Sequence, residues 1–409
     1  MNRKYLLAPV ALFALAVAAV AADWPQFLGP NRDGKSPEKG LLDTWPKKGP
    51  PPLWSVKVGE GYAGPVVVGK RVVLFHRVGD EEVIECFDTD KGQSQWKFAY
   101  PTKYQDQLGK GDGPRATPLI AGGKVYTYGP EAVLTCVELA SGKKVWQKSL
   151  HDQYKMRPSY FGAGTSPLVE GDLLLVNVGA KGAGIVAFNK DSGKEVWMAS
   201  DDDASYSSPV AATIDGVRHV IFFTREGLLS LDPANGQERF SKRWRARIDA
   251  SVNAATPLVV GDEIFVTASY GTGALMVRAT KNSVKEIWSN DESLSSHFNT
   301  PVVQDGFLYG IDGRQESGVA ELRCVEWKTG KVRWTKEKFG CASLLLADGH
   351  LIALTEEGEL VLIEATPEAY REKARSGGLE ATCRAPLALS DGKLYGRDAK
   401  QLHCWELKK

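Results

Sequence analysis

Six cysteines, six histidines and a scatter of loop acids carry the chemical potential of this 409-residue chain, and their spacing limits what they can do. No Cys-x-x-Cys, no haem-attachment Cys-x-x-Cys-His and no adjacent cysteine pair occurs. The histidines stand at 76, 151, 219, 297, 350 and 403, none in a His-Glu-x-x-His array. A Gly-x-Ser-x-Gly nucleophile elbow and a Walker loop are absent too. The glycine-rich runs 109–113 and 179–184 fall between strands rather than at a strand-to-helix turn. Asp112, Asp203, Asp249 and Asp291 lie on loops where they either bind a cation or are simply solvated. The residues assign no catalytic group and no metal ligand, and the expectation leans away from an enzyme.

A second group is defined by position. Asp112, Arg115, Tyr160, Tyr206, Asn253, His297, Asn299 and Arg384 all sit shortly before an apolar run that opens on a small or polar residue and, in all but one copy, proline. If those runs converge, the eight residues form a polar, aromatic and partly basic rim for an anionic ligand, a sugar or a peptide. The alternative is that they hydrogen-bond neighbouring elements and channel water.

The runs recur. Gly64-Pro65, Thr117-Pro118, Ser166-Pro167, Ser208-Pro209, Thr256-Pro257, Thr300-Pro301 and Ala385-Pro386 each open an apolar stretch, and Ala342-Ser343 fills the remaining gap. The mean spacing of about 46 residues suits one four-stranded propeller blade. Within the repeat, a second and third strand are followed by a turn glycine and, four residues on, an aromatic: Gly92 and Trp96, Gly142 and Trp146, Gly193 and Trp197, Gly330 and Trp334, with Gly236 and Phe240 a degenerate copy. The eighth unit ends after its third strand, 402–407, while 53–58 precedes the first unit as an orphaned fourth strand. Pairing the two closes the ring and removes an exposed sheet edge. The predicted fold is all-β, an eight-bladed β-propeller of four-stranded blades over 54–409, its last blade completed by the N-terminal strand.

Cys86, Cys136, Cys324 and Cys404 take the same third-strand position in four blades, where Ala187 stands in a fifth, and read as small buried side chains. Cys341 and Cys383 precede the first strands of blades seven and eight, where a disulfide between them is the alternative to two free thiols. Two connections are long: 97–116 with Tyr100, Tyr104 and Arg115, and 147–165 with His151, Tyr154, Arg157, Tyr160 and Phe161. They read either as a binding surface or as self-packed covers of the channel. In blade seven, Thr366, Pro367 and Glu368 have the order of a helix N-terminus, predicting a short helical insertion over 366–375.

Residues 1–22 combine Arg3 and Lys4 with an apolar stretch and small residues at 19–22, the pattern of a cleavable secretory signal. Without Arg3 and Lys4 the chain carries 49 basic and 50 acidic residues, so nucleic acid is not an expected partner. No cysteine lies near the cleavage point for lipid attachment. Expected are a periplasmic or secreted location, no transmembrane span after cleavage, and a monomer. Residues 23–53, with seven prolines, read as an extended lead segment stapled to the body by Trp24, Phe27 and Trp45.

The Gly-Lys-x-x-Trp turn, preceded by a small residue in an apolar strand, resembles the repeat of pyrroloquinoline quinone (PQQ)-type propellers, from Trp54 to Lys409. The opening 23–34 is similar to that of exported BamB-like proteins. The family includes PQQ-dependent alcohol dehydrogenases and BamB-like envelope scaffolds. The dehydrogenases commonly carry an adjacent-cysteine disulfide ring, a calcium site and a catalytic Asp, none of which can be placed here. The resemblance therefore implies a non-catalytic, BamB-like envelope scaffold binding a protein or small ligand at the funnel. A PQQ- and calcium-dependent oxidoreductase is the alternative, and a glycan-binding module the third reading. No cofactor is expected.

Overall fold

Each apolar run becomes the innermost strand of a four-stranded antiparallel sheet in the computed structural model, which describes residues 22–156, 161–249, 251–314 and 318–409. The eight sheets are the blades of one β-propeller. The first holds Val66–Val68, Arg71–Val78, Glu81–Asp88 and Ser94–Pro101, and the next six follow in chain order. The eighth pairs Ala388–Ser390, Lys393–Arg397 and Gln401–Glu406 with Pro52–Lys57, so Trp54 lies opposite Cys404 and the ring closes with strands from both ends of the described chain. The predicted signal lies in 1–22, of which 1–21 fall outside the described residues.

Two repeated interactions explain why these residue types recur. The tryptophan of one blade's outer strand donates its indole N–H to a backbone carbonyl of the next blade. Trp54 bonds Thr89 at 3.1 Å, Trp96 bonds Leu139 at 2.9 Å, Trp146 bonds Lys190 at 3.1 Å and Trp197 bonds Pro233 at 3.0 Å. The ring then lies on the turn glycine of that next blade. At Gly142 (φ +70°) a Cβ would stand 2.4 Å from the Trp96 ring. Where blade four has Phe240 instead, Trp244 takes over and bonds Gly273 at 3.2 Å.

The second interaction is a belt around the channel. In blades one to five, the N–H of the residue preceding the innermost-strand proline donates to the hydroxyl of its counterpart one blade on. Gly64 donates to Thr117, Thr117 to Ser166, Ser166 to Ser208, Ser208 to Thr256 and Thr256 to Thr300, at 2.9–3.2 Å. These groups are buried, so the small hydroxyl residue satisfies an amide that would otherwise be orphaned.

The segment before the ring is more than a surface staple. Trp24 exchanges two 2.8 Å backbone bonds with Val67 of blade one, and Ile120 of blade two donates to Pro25. The chain then turns inside the channel. Arg32, 2% exposed, donates to the carbonyls of Ser166, Pro167 and Pro209 on blades three and four and to Gln26. Lys35–Ser36 leaves as a parallel fifth strand beside Leu346 and Ala347 of blade seven, and Leu42 and Gly40 bond the C-terminal residues Leu407 and Lys409. Trp24 and Trp45 are buried, and Phe27 is half-buried.

Blade seven corrects one expectation. Residues 365–371 form an irregular turn and Glu372–Ser376 is a strand paired with Leu360–Glu364, where a helix over 366–375 is predicted from local signals. The sheet needs its fourth strand, and Trp334 of blade six takes the carbonyl of Thr366 at 2.9 Å, with Tyr370 packed edge-on 5.9 Å away. Tertiary demand overrides the capping signal. The described helix is Leu150–Tyr154, in the second long connection.

Gly142→Ala combines left-handed strain of about 1–2 kcal/mol with an overpacking cost of about 1–3 kcal/mol against Trp96. Gly122→Ala in the same blade (φ +56°) meets nothing within 4 Å and bears only the strain. Urea denaturation of the two variants should show the first losing clearly more stability; equal losses would contradict the staple.

Candidate functional site

The segments feeding the innermost strands meet at one end of the channel around a cavity of about 180 Å³. The first long connection builds one wall. Tyr62 and Ala63 donate backbone N–H groups to Pro114, and Tyr62 donates its hydroxyl to the carbonyl of Lys110, which locks the connection to the strand entering blade one. Asp106, its side chain fully buried, accepts from the amides of Leu108 and Lys110 and forms an ion pair with Arg115. Arg115 is thereby held with its guanidinium 5.8 Å from the Tyr62 ring centre and 5.6 Å from that of Phe161.

The opposite wall repeats the device. Glu356, nearly buried, accepts from Arg384 Nε at 2.6 Å, which sets that guanidinium 5.5 Å from the Tyr62 ring and 5.6 Å from Phe298. Phe161 meets Tyr206 edge-on at 5.6 Å, and its amide N–H donates to the Tyr206 hydroxyl at 2.9 Å. The result is an arc, Phe298–Arg384–Tyr62–Arg115–Phe161–Tyr206, in which rings and guanidiniums alternate until its last two members. Such contacts are worth ~0.5–2 kcal/mol each, and they freeze two long side chains before any ligand arrives. His297 joins the lining and is oriented by the Tyr270 hydroxyl at 2.8 Å. Phe27 of the lead segment also lines the cavity, alongside Ser166 and Ser208 of the belt.

Of the eight rim residues expected from sequence, Arg115, Tyr206, His297 and Arg384 line this cavity. Asp112 stands behind it, accepting from the amide of Asp106 at 2.7 Å. Asn253, 1% exposed, braces the blade four–five junction by donating to Thr224 and Trp244. Asn299 is buried away from the lining, and Tyr160 lies outside the described residues. Tyr62, Phe298, Asp106 and Glu356 escaped sequence reasoning. Tyr62 lies just ahead of the first belt position, a place where an aromatic could have drawn attention; the two acids carry no such signal.

The arrangement presents guanidiniums and aromatic faces around the cavity. Both acids that orient the arc are committed to guanidiniums, and among the described residues no three His, Cys, Asp or Glu converge as a metal-ligand set. Calcium needs several convergent oxygens, so the residues present do not fit the calcium–quinone centre of a PQQ enzyme. All six cysteines are buried, and none is in a disulfide. Cys341 and Cys383 are not bridged; their backbones both bond that of Glu356, and burial pushes the Cys383 thiol up to about 12. Ser55, His403 and Asp398 form a relay-like row at 2.8 and 3.0 Å, but Asp398 also accepts from the amides of Lys400, Gln401 and Glu380. Ser55 and His403 are cross-strand partners on blade eight, so the row ties that blade together.

The profile of the outer membrane protein assembly factor BamB family matches residues 79–336, well over half of the chain. The chain belongs to the BamB family. BamB of Yersinia pestis is 22% identical over 342 residues, 80% of this chain and 82% of that protein. The crystal structure of BamB from Moraxella catarrhalis superposes with a TM-score of 0.65 at 14% identity, covering 87% of this chain and 97% of that one. Quinohemoprotein alcohol dehydrogenase from Comamonas testosteroni shares the fold at a TM-score of 0.61 and 13% identity, covering 93% and 80%. No described helix of this BamB-family chain is long and apolar enough to cross a membrane.

At the foot of the first long connection, Glu82 is 1% exposed and accepts from the Tyr100 hydroxyl. Burial, with a smaller push from the Glu131 carboxylate, raises its pKa to about 7. The folded state thus holds this proton more tightly than the unfolded chain. Glu82 contributes stability that is full below its ordinary acid range and is lost as pH rises through about 7. Glu82→Gln should therefore melt higher than the parent near pH 8, with the gap closing toward pH 4; an equal gap at both pH values would contradict the assignment.

Proposed function

We propose that this protein is an exported, non-catalytic binding propeller of the bacterial envelope that holds a partner protein at the arc-lined mouth. The observation that carries the reading is the arc itself: aromatic and arginine side chains, the usual anchors of interfaces, immobilised by buried acids around a small cavity. Membership of the BamB family supports an envelope assembly role, since its named members are outer membrane assembly factors. The basic and apolar start of the chain supports export, to the periplasm or beyond, and nothing in the charge balance favours nucleic acid. No cofactor enters this reading, and the protein acts as a monomer.

The test is co-purification of envelope proteins by the parent and by Tyr62→Ala, with Ser55→Ala on the blade-eight edge as a surface control. The mouth variant should lose its partner by about tenfold or more while keeping its thermal midpoint within a few degrees. Unchanged capture would overturn the mouth as the binding site.

The fold shared with a quinohemoprotein alcohol dehydrogenase favours a second reading, a PQQ-dependent oxidoreductase. Titration with PQQ and calcium should give no saturable absorbance change and no dye-linked alcohol oxidation; turnover would replace the scaffold reading with this one.

A further inference from the structure

We propose that the mouth is a receptor for a carboxylate carried next to a single aromatic ring, and that the N-terminal segment is part of the site because Arg32 supplies charge beneath it and Phe27 its apolar floor. This rests on the mouth being the binding site and names what it binds.

Charge comes first. Arg115 and Arg384 line the cavity, the first paired with Asp106 and the second with Glu356. Arg32 adds a third guanidinium in the channel, outside the cavity's own lining. Its bonds run to Gln26 and to three backbone carbonyls, one of them that of Ser166, which itself lines the cavity. None of those acceptors is a carboxylate. Burial alone pushes Arg32 down to about 9, so it stays charged at neutral pH at a desolvation cost that a nearby anion would offset.

Shape then narrows the anion. A guanidinium grips a carboxylate through two parallel N–H bonds and stacks on flat rings. Arg115 and Arg384 are already held in place by rings and acids, so little entropy remains to be lost on binding. Phe298, Tyr62 and Phe161 each carry a guanidinium over the ring, which leaves them poorly placed to stack on a sugar. A cavity of about 180 Å³ lies below the ~300 Å³ at which pockets for drug-sized ligands begin and suits one ring with its acid group rather than a fused tricyclic quinone.

Calorimetric or saturation-transfer titration of the purified protein separates these terms. Benzoate should bind saturably and about tenfold or more tighter than benzyl alcohol, the uncharged counterpart. Arg384→Gln and Arg32→Gln should each erase most of that difference. Should Arg32→Gln fail to fold, Arg384→Lys keeps the charge without the planar fork and should still lose most of it. The acid–alcohol comparison on the parent protein needs no variant. Equal binding of acid and alcohol, or a preference untouched by Arg384→Gln, overturns the proposal.

An acetylated pentapeptide with adjacent Glu and Phe, set against its Gln-Phe analogue, asks whether the ring-borne acid belongs to a protein. Tighter peptide than benzoate binding, lost with Gln, supports the class with a protein source; tight benzoate with no acid-dependent peptide binding supports it with a free metabolite. If Tyr62→Ala loses its envelope partner while neither benzoate nor the Glu peptide binds, the carboxylate inference falls and the scaffold reading stands. If benzoate binds but partner capture is unaffected, the scaffold reading falls and the receptor stands.

Discussion

An indole set against the next blade's turn glycine is the contact on which the ring depends. Each blade packs only if a neighbour lies at a fixed distance, and at Gly92, Gly142, Gly193, Gly236 and Gly330 that distance is measured by a tryptophan touching a residue that has no Cβ. The indole N–H also satisfies a carbonyl of the neighbouring turn, so the contact is both packed and hydrogen-bonded. The belt of hydroxyls does the same work at the axis, one buried amide at a time. With rim and axis both set, the loops at the mouth can vary without disturbing the closure, which is how one fold comes to host scaffolds and dehydrogenases alike.

Closure by the N-terminal strand has a consequence for the site. The segment that leads into Pro52–Lys57 must first reach it, and it does so through the channel. It touches innermost strands of blades one, two, three, four and seven before pairing with the C-terminal residues. The channel is therefore filled by the chain's own backbone, and the mouth has a floor. Arg32 is costly to bury and is held by carbonyls alone, an arrangement that makes structural sense as a plug and chemical sense as the base of an anion site.

The ring was legible in the sequence because its two devices are periodic: a hydroxyl residue before proline, and a glycine four residues before tryptophan. The orphaned strand at 53–58 was legible for the same reason, as a tryptophan without a blade. Blade seven misled because Thr366, Pro367 and Glu368 satisfy a local helix start while a neighbour's indole claims the Thr366 carbonyl. Half of the mouth was legible from position in the repeat. The rest was not, because Asp106 and Asp112 look alike in a polar loop and only packing decides which one meets Arg115. Phe298 and Glu356 come together with Arg384 from different blades, a juxtaposition that no local pattern encodes. The passage of 23–36 through the channel was hidden by its prolines, which exclude a central strand without saying where an extended chain will lie.

Site-specific photo-crosslinking tests the central claim, that this propeller engages its partner through the arc-lined mouth, most directly. A photoreactive phenylalanine analogue in place of Phe161 at the mouth, and another in place of Gln304 at the far end of an innermost strand, would be irradiated in intact cells. The account predicts a discrete crosslinked species from the mouth position and none from the far end. Crosslinks from the far end alone would contradict it and move the interface to the opposite face.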